Sequence, residues 1–199
     1  MYMKIKLLNS FAGIGGNTKN LDRDLFEITH VETNKKRINY LRETFQEDTT
    51  IEADAYQYIL ENIMEYDIVW ASPPCPTHSN VRWANRTKEN FTYVYPDMQM
   101  YGLIFLLQRA RQYEPWIVEN VTPYYQPLIE PTVKLGRHMI WSNKHIPFKK
   151  FGADHITEIK RDHERNLSVK DLRDEMNGDI GKYIIDNMLD KKVSLEEFL

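Results

Sequence analysis

The chain has 199 residues, 42% hydrophobic and 28% charged, with a formal net charge of -3, which suits one soluble globular domain with at most a small appendage. Its single cysteine excludes an internal disulfide and a cysteine-based zinc site, so no metal is expected, and a reducing cytoplasm is the natural compartment. No apolar run approaches membrane-spanning length, and residues 1–8 are too short and too soon interrupted for a signal peptide.

In chain order, residues 4–8 read as a first strand that ends in the glycine-rich turn Gly13-Ile14-Gly15-Gly16. Residues 26–31 read as a second strand. The spacing of Ile38, Leu41 and Phe45 predicts a helix over 34–45. A short third strand over 50–53 and a helix over 55–63 follow. Residues 66–71 form a fourth strand, stopped by Ser72-Pro73-Pro74. Residues 77–96 are polar and aromatic without clear periodicity, and a loop of that length inside a compact domain is usually functional. A long helix over 97–113 keeps Met100, Ile104, Leu107 and Ala110 on one side. A fifth strand covers 116–118 and a later one 138–141. After Phe151 the chain becomes charged and ends in a helical segment over 180–189. Strands alternating with helices predict a mostly parallel sheet wrapped by helices. Two units are expected: 1–150, and a short helical extension over 151–199.

Several sites along this order have the residue types of a ligand-binding or catalytic site. The glycines after the first strand let a ligand approach the backbone, and the helix beyond offers free N–H groups; a simple tight turn is the alternative. Glu32 ends the second strand where an acid binds ribose hydroxyls in nucleoside-binding sheets, or is a solvated surface carboxylate. Asp54 follows the third strand at the same sheet edge, and an N-cap explains it equally well. Cys75 follows the fourth strand directly, framed by Pro74 and Pro76. Its neighbours Pro, Thr, His and Ser favour a reactive thiol over a buried structural one. Glu119-Asn120 lies just after the fifth strand and suits hydrogen bonding to a heterocycle edge; capping a helix or pairing with a lysine is the alternative. Arg137 opens the later strand and needs a partner, either a ligand or a salt bridge. Net charge does not point to nucleic acid, but residues 131–153 hold no acid while Lys134, Arg137, Lys144, Lys149 and Lys150 fall inside, so a basic face is expected.

The run Phe11-Ala12-Gly13-Ile14-Gly15-Gly16, then Pro73-Pro74-Cys75, then Glu119-Asn120-Val121, then Arg137, in that order, resembles the DNA cytosine-5 methyltransferase family over residues 7–141. The resemblance implies a Rossmann-like, S-adenosylmethionine-dependent methyltransferase fold. It implies methyl transfer to C5 of cytosine in DNA, in a duplex or a single strand, through a covalent Cys75 adduct. Glu119 matches the acid at cytosine N3 and Arg137 the group at O2. Phe11, Gly13, Ile14, Gly15, Gly16, Glu32, Asp54, Ala55, Pro74 and Leu103 match the cofactor site. The segment 77–96, with Ser79, Arg82, Trp83, Arg86 and Lys88, resembles the loop that closes over DNA; Asn120 is assigned to the same contact, and an ordinary solvated loop is the alternative for this segment.

The chain departs from the family at Asn9, where an acid is common, and at Pro76, where glutamine is common. The target-recognition region is missing: about thirty-five residues separate Trp141 from the last helical segment, far fewer than a second domain needs. Small phage-borne members have this compact form, which places the chain in a bacterial or phage-infected cell. A protein partner that supplies target recognition, and a pyrimidine in RNA or a free nucleotide as substrate, remain open. A nicotinamide-dependent oxidoreductase ranks lower, because the full GxGxxG spacing is lacking.

Overall fold

The computed structural model describes residues 3–151 and 167–189; the rest of the expected C-terminal extension lies outside the described residues. Seven strands form one sheet: β1 (Ile5–Ser10), β2 (Phe26–Glu32), β3 (Thr49–Glu52), β4 (Ile68–Ala71), β5 (Trp116–Val121), β6 (Val133–Leu135) and β7 (His138–Ser142). Their spatial order is β3-β2-β1-β4-β5-β7-β6. The first five are parallel, and β7 runs antiparallel to both β5 and β6. The helices are α1 (Lys35–Thr44), α2 (Ala55–Asn62), α3 (Asn80–Ala84), α4 (Gln99–Ala110), α5 (Val169–Asp174) and α6 (Gly178–Met188). The expected doubly covered, mostly parallel, Rossmann-like sheet is the observed fold.

A period of two in the strands explains why both faces need cover. Leu7, Ile28, Ile68, Trp70, Ile117 and Ile140 point to one face, where Ile180, Ile184, Ile185 and Met188 of α6 meet them. Leu8, Val31, Val69, Ala71, Val118 and Trp141 point to the other, under α2 and α4. Trp70 and Trp116 are almost wholly buried, so each removes a large apolar area from water. Cutting a buried leucine such as Leu7 or Leu8 to alanine costs about 2–5 kcal/mol. The described part of the expected extension therefore joins the core: α6 covers one face of the sheet. It lies so close to the 3-10 turn Gly16–Thr18 that a Cβ on Gly181 would stand 1.8 Å from the Asn17 carbonyl oxygen.

The structure adds three elements that the periodicity did not announce. In β6 only three residues pair, and Lys134 among them is exposed. A two-residue turn joins β6 to β7, with Gly136 first at φ 60, the position at which such turns favour glycine. Arg137 consequently sits in the turn, and β7 begins one residue later at His138. The loop 77–96 contains α3, whose N-cap Ser79 accepts from the Val81 amide. At α5, Ser168 and Asp171 form a reciprocal capping box. No helix among the described residues is long and apolar enough to cross a membrane.

Candidate active site

β1 pairs with β2 on one side and β4 on the other, so the strand order reverses there and a crevice opens at the carboxyl ends of the strands. A cleft of about 430 Å³ occupies this crevice. Its walls come from the turn after β1, the ends of β2, β4 and β5, the β6–β7 turn, and the segment 170–176.

At the β1–β2 end, the chain turns sharply through Phe11 (φ 55), Gly13 (φ 58) and Gly15 (φ 76). A positive φ at a phenylalanine is strained and persists only where the surroundings fix it. Here the Ala12 amide donates to the Val31 carbonyl, and the Phe11 ring meets Tyr56 edge-on at 4.7 Å. The Glu32 carboxylate receives the Gly13 amide on Oε2 and the Thr33 and Asn34 amides on Oε1, each at 2.9 Å. It thus fixes the glycine turn while still lining the cleft. Arg37 lies 3.6 Å from Glu32 and donates to Asp171 at 2.8 Å. The Asp171 carboxyl, which burial alone would raise, is held below its usual range by Ser168 and Arg37. Asp54 caps α2 through the Gln57 amide, as its N-cap reading expects, and also lines the cleft.

Beneath this turn runs a buried polar chain. Asn9 and Asn17 exchange amide hydrogen bonds, 3.1 and 2.8 Å. Asn9 also donates to His30 Nδ1 at 3.0 Å. That bond makes Nδ1 the acceptor, so Nε2 carries the hydrogen and donates to Asp48 at 2.9 Å. Arg23 closes the chain with a two-pronged grip on Asp48. Burial would raise the Asp48 pKa, but His30 and Arg23 outweigh it and hold the carboxyl below its ordinary value.

At the β4–β5 end, Cys75 is half-buried on the cleft wall between its two prolines. Its carbonyl accepts the amides of His78 and Ser79 at 3.0 and 3.1 Å. Asn120 donates from its side chain to the Pro73 carbonyl at 3.0 Å and accepts the Val121 amide, which ties the end of β5 to the cysteine turn. His78 is buried and bonds Tyr125 through Nδ1 at 2.5 Å; burial pushes its imidazole below the usual range against the pull of Asp97. Glu119 lines the cleft, and His138 Nδ1 donates to its Oε1 at 2.6 Å. Arg137 lines the cleft beside it and donates to the Glu175 carbonyl at 3.1 Å.

The loop 77–96 is organised by ring contacts within it and with Tyr124. Trp83 stacks on Tyr124 at 5.0 Å, with Arg86 over its ring, and Arg82 lies over Phe91. Tyr93 and Tyr95 are strongly exposed.

Cys75, Glu119, Arg137, Phe11, Gly13, Ile14, Gly16, Glu32, Asp54, Ala55 and Pro74 line one cleft. Two expected cofactor positions lie elsewhere for physical reasons. Gly15 faces the ring of Phe45, not the cleft. Leu103 points from α4 into the core. Two expected nucleic acid positions have their polar groups engaged within the chain. Asn120 reaches the cleft, but it is buried and its side-chain amide is taken by backbone partners. Ser79 uses its hydroxyl as the α3 cap. Sequence reasoning missed His138, Arg37 and the segment that brings Lys170, Asp171 and Glu175 to the cleft. His138 follows Arg137 directly, and its partner becomes visible only when β7 pairs with β5. Among the described residues no cluster of histidine, cysteine and acids is placed to hold a metal.

No protein-family model and no curated protein matches the chain. Solved structures do. A prophage-encoded protein of E. coli described as a candidate DNA modification methyltransferase is 18% identical, with TM-score 0.42 over 62% of this chain and 34% of that one. A DNMT2 mutant of Spodoptera frugiperda is 22% identical, with TM-score 0.40 over 59% and 36%. A SAM-dependent methyltransferase of Agrobacterium tumefaciens is 18% identical, with TM-score 0.43 over 63% and 41%. The matched region spans between 34% and 41% of the length of these three.

Proposed function

We propose that the protein is an S-adenosylmethionine-dependent methyltransferase that methylates C5 of cytosine in DNA through a covalent adduct with Cys75. The observation that supports this most is one cleft lined at one end by a glycine turn with two carboxylates and at the other by a thiol, a carboxyl and a guanidinium.

The glycine end suits a nucleoside. Nothing lies within 4 Å of the place a Cβ on Gly13 would occupy, so a ligand can lie against the backbone there. Glu32 and Asp54 present carboxylates to the cleft, one for ribose hydroxyls and one for a purine edge. Phe11, Ile14, Ala55 and Pro74 add apolar wall. S-adenosylmethionine, when bound, supplies an electrophilic methyl group on its sulfonium.

Cytosine C5 is a poor nucleophile until the ring is activated. The Cys75 thiolate adds to C6, forming an S–C6 bond, and the electron pair of the C5–C6 double bond shifts into the ring. Glu119 hydrogen-bonds N3 and delivers a proton there, limiting the charge that develops. His138 holds Glu119 by one oxygen, which orients the other toward a ligand. The Arg137 guanidinium stabilises the O2 side. After C5 has been methylated, a base removes the C5 proton, N3 returns its proton to Glu119, and the electron pair expels the cysteine sulfur as thiolate. A base inside a duplex cannot reach such a cleft, so the cytosine is flipped or single-stranded. Arg82, Trp83, Arg86 and Lys88 of the exposed loop are assigned to the strand around it.

The test combines two readouts. Purified protein with labelled methyl donor is incubated with DNA, RNA and free cytidine nucleotides, followed by bisulfite sequencing of the DNA. DNA carrying 5-fluorocytosine is then used to trap the adduct, because fluorine cannot leave as a proton. Methylation of DNA with a mass-mapped adduct at Cys75 is expected; methylated DNA with no adduct at that sulfur rejects the mechanism.

A further inference from the structure

The side of the β6–β7 hairpin away from the loop 77–96 carries a second concavity, of about 350 Å³, lined by Lys134, Gly136, Phe148, Lys149, Lys150 and Phe151. The three lysines are exposed, and Phe148 is 74% exposed. The surface is built rather than loose. Ile146 is buried in the core at its root, and Phe151 packs against the same core cluster. The Tyr183 hydroxyl of α6 donates to the Pro147 carbonyl at 3.1 Å. The Lys149 ammonium stands over the Tyr183 and Phe151 rings at 4.8 and 5.3 Å.

Charge and position together favour an anionic occupant. The chain as a whole is acidic, yet residues 131–151 contain five lysines and arginines and no carboxylate. Gly136, which lines this concavity, is the immediate neighbour of Arg137, which lines the cleft. The loop 77–96 flanks the cleft from the other face of the sheet: its anchor Tyr125 packs with α4, whereas Phe151 packs with α6. We infer that Lys134, Lys149, Lys150 and Phe148 dock the phosphodiester backbone of the nucleic acid strand that carries the target base, on the side of the cleft opposite the aromatic loop. Lysines on a fixed platform suit phosphates, and an exposed ring beside them suits a stacked base. This docking surface rests on the proposed nucleic acid substrate and adds where the flanking strand runs.

The test uses the full chain and labelled single-stranded and duplex oligonucleotides containing cytosine, with affinity measured across a salt series. Lys134→Glu with Lys150→Glu should weaken binding about tenfold or more at low salt. It should also flatten the slope of log affinity against log salt, by about 0.7 for each single-strand phosphate that no longer meets a lysine. Phe148→Ala should weaken the single strand more than the duplex. Arg109→Glu, on α4 over the other face of the sheet, should leave both quantities unchanged. If the charge reversal lowers the melting temperature, Lys134→Gln with Lys150→Gln gives the same reading with a smaller change. Wild-type affinity and slope in the lysine variants, or an equal effect in Arg109→Glu, overturns the inference. Methyl transfer by the wild-type chain to the same oligonucleotides is scored separately: its presence with unaltered lysine-variant binding sinks only the docking surface, and its absence from every cytosine substrate sinks the reading beneath it.

Discussion

Beneath the glycine turn, Asn9, Asn17, His30, Asp48 and Arg23 pass hydrogen bonds to one another inside the core, whereas around Cys75 the backbone is held by prolines, carbonyl bonds and a loop whose aromatic rings face water. The first region is a preorganised cradle in which each of these side chains has a polar partner. The second fixes Cys75, Glu119 and Arg137 but leaves the approach to them open. The proposed function needs this asymmetry: rigidity where the cofactor would lie, access where the nucleic acid would enter.

The two ends should differ most in chemistry. Cys75→Ala should lower methyl transfer on the order of 10^4-fold or more, with melting temperature and S-adenosylmethionine affinity unchanged; single-turnover rates and calorimetry check this, and equal loss of both would merge the two regions. Glu119→Gln should slow the chemical step by about 10^2- to 10^3-fold with little change in nucleic acid affinity, read in the same single-turnover assay.

The cradle should answer in stability. Asn9→Leu removes the amide that donates to His30 and Asn17 and accepts from Asn17, so three buried bonds are lost. Denaturant unfolding should show a loss of about 1–3 kcal/mol. Asp48 has a depressed pKa in the fold, so its contribution is fully present above its unfolded value near 4 and disappears as pH falls through the lower folded value. Unfolding measured from pH 6 downward should steepen below about pH 4, and Asp48→Asn should flatten that limb. The smallest effect is expected at Trp83→Ala, which removes one ring stack worth about 0.5–1.5 kcal/mol from an exposed loop and should scarcely move the global melt.

The parallel strands were legible because their apolar residues are consecutive and their ends are marked by glycine, proline or an acid, as at Gly13, Pro73 and Glu32. The same feature placed most of the cleft wall, since ligands gather at strand ends. Several things were hidden, Arg37 and the segment 170–176 among them. β6 is too short, and Lys134 breaks its apolar pattern. The Glu119–His138 bond exists only through antiparallel pairing of two strands, which leaves no local periodicity. Asn120 read as a ligand contact because its sequence position matches one, but the group that takes its side-chain hydrogen is the Pro73 carbonyl. Pattern reports which edge of the sheet a residue reaches; the partner that takes its hydrogen bonds is a property of the packed chain.

Because α6 supplies Ile180, Ile184, Ile185 and Met188 to one face of the sheet, that face stays wet until the ribosome has synthesised this helix. The earlier strands emerge with half their oily surface uncovered, and vectorial folding cannot finish before residue 188 has cleared the exit tunnel. A stop codon placed after the β6–β7 hairpin would spare Cys75, Glu119 and Arg137 and still leave that face of the sheet bare.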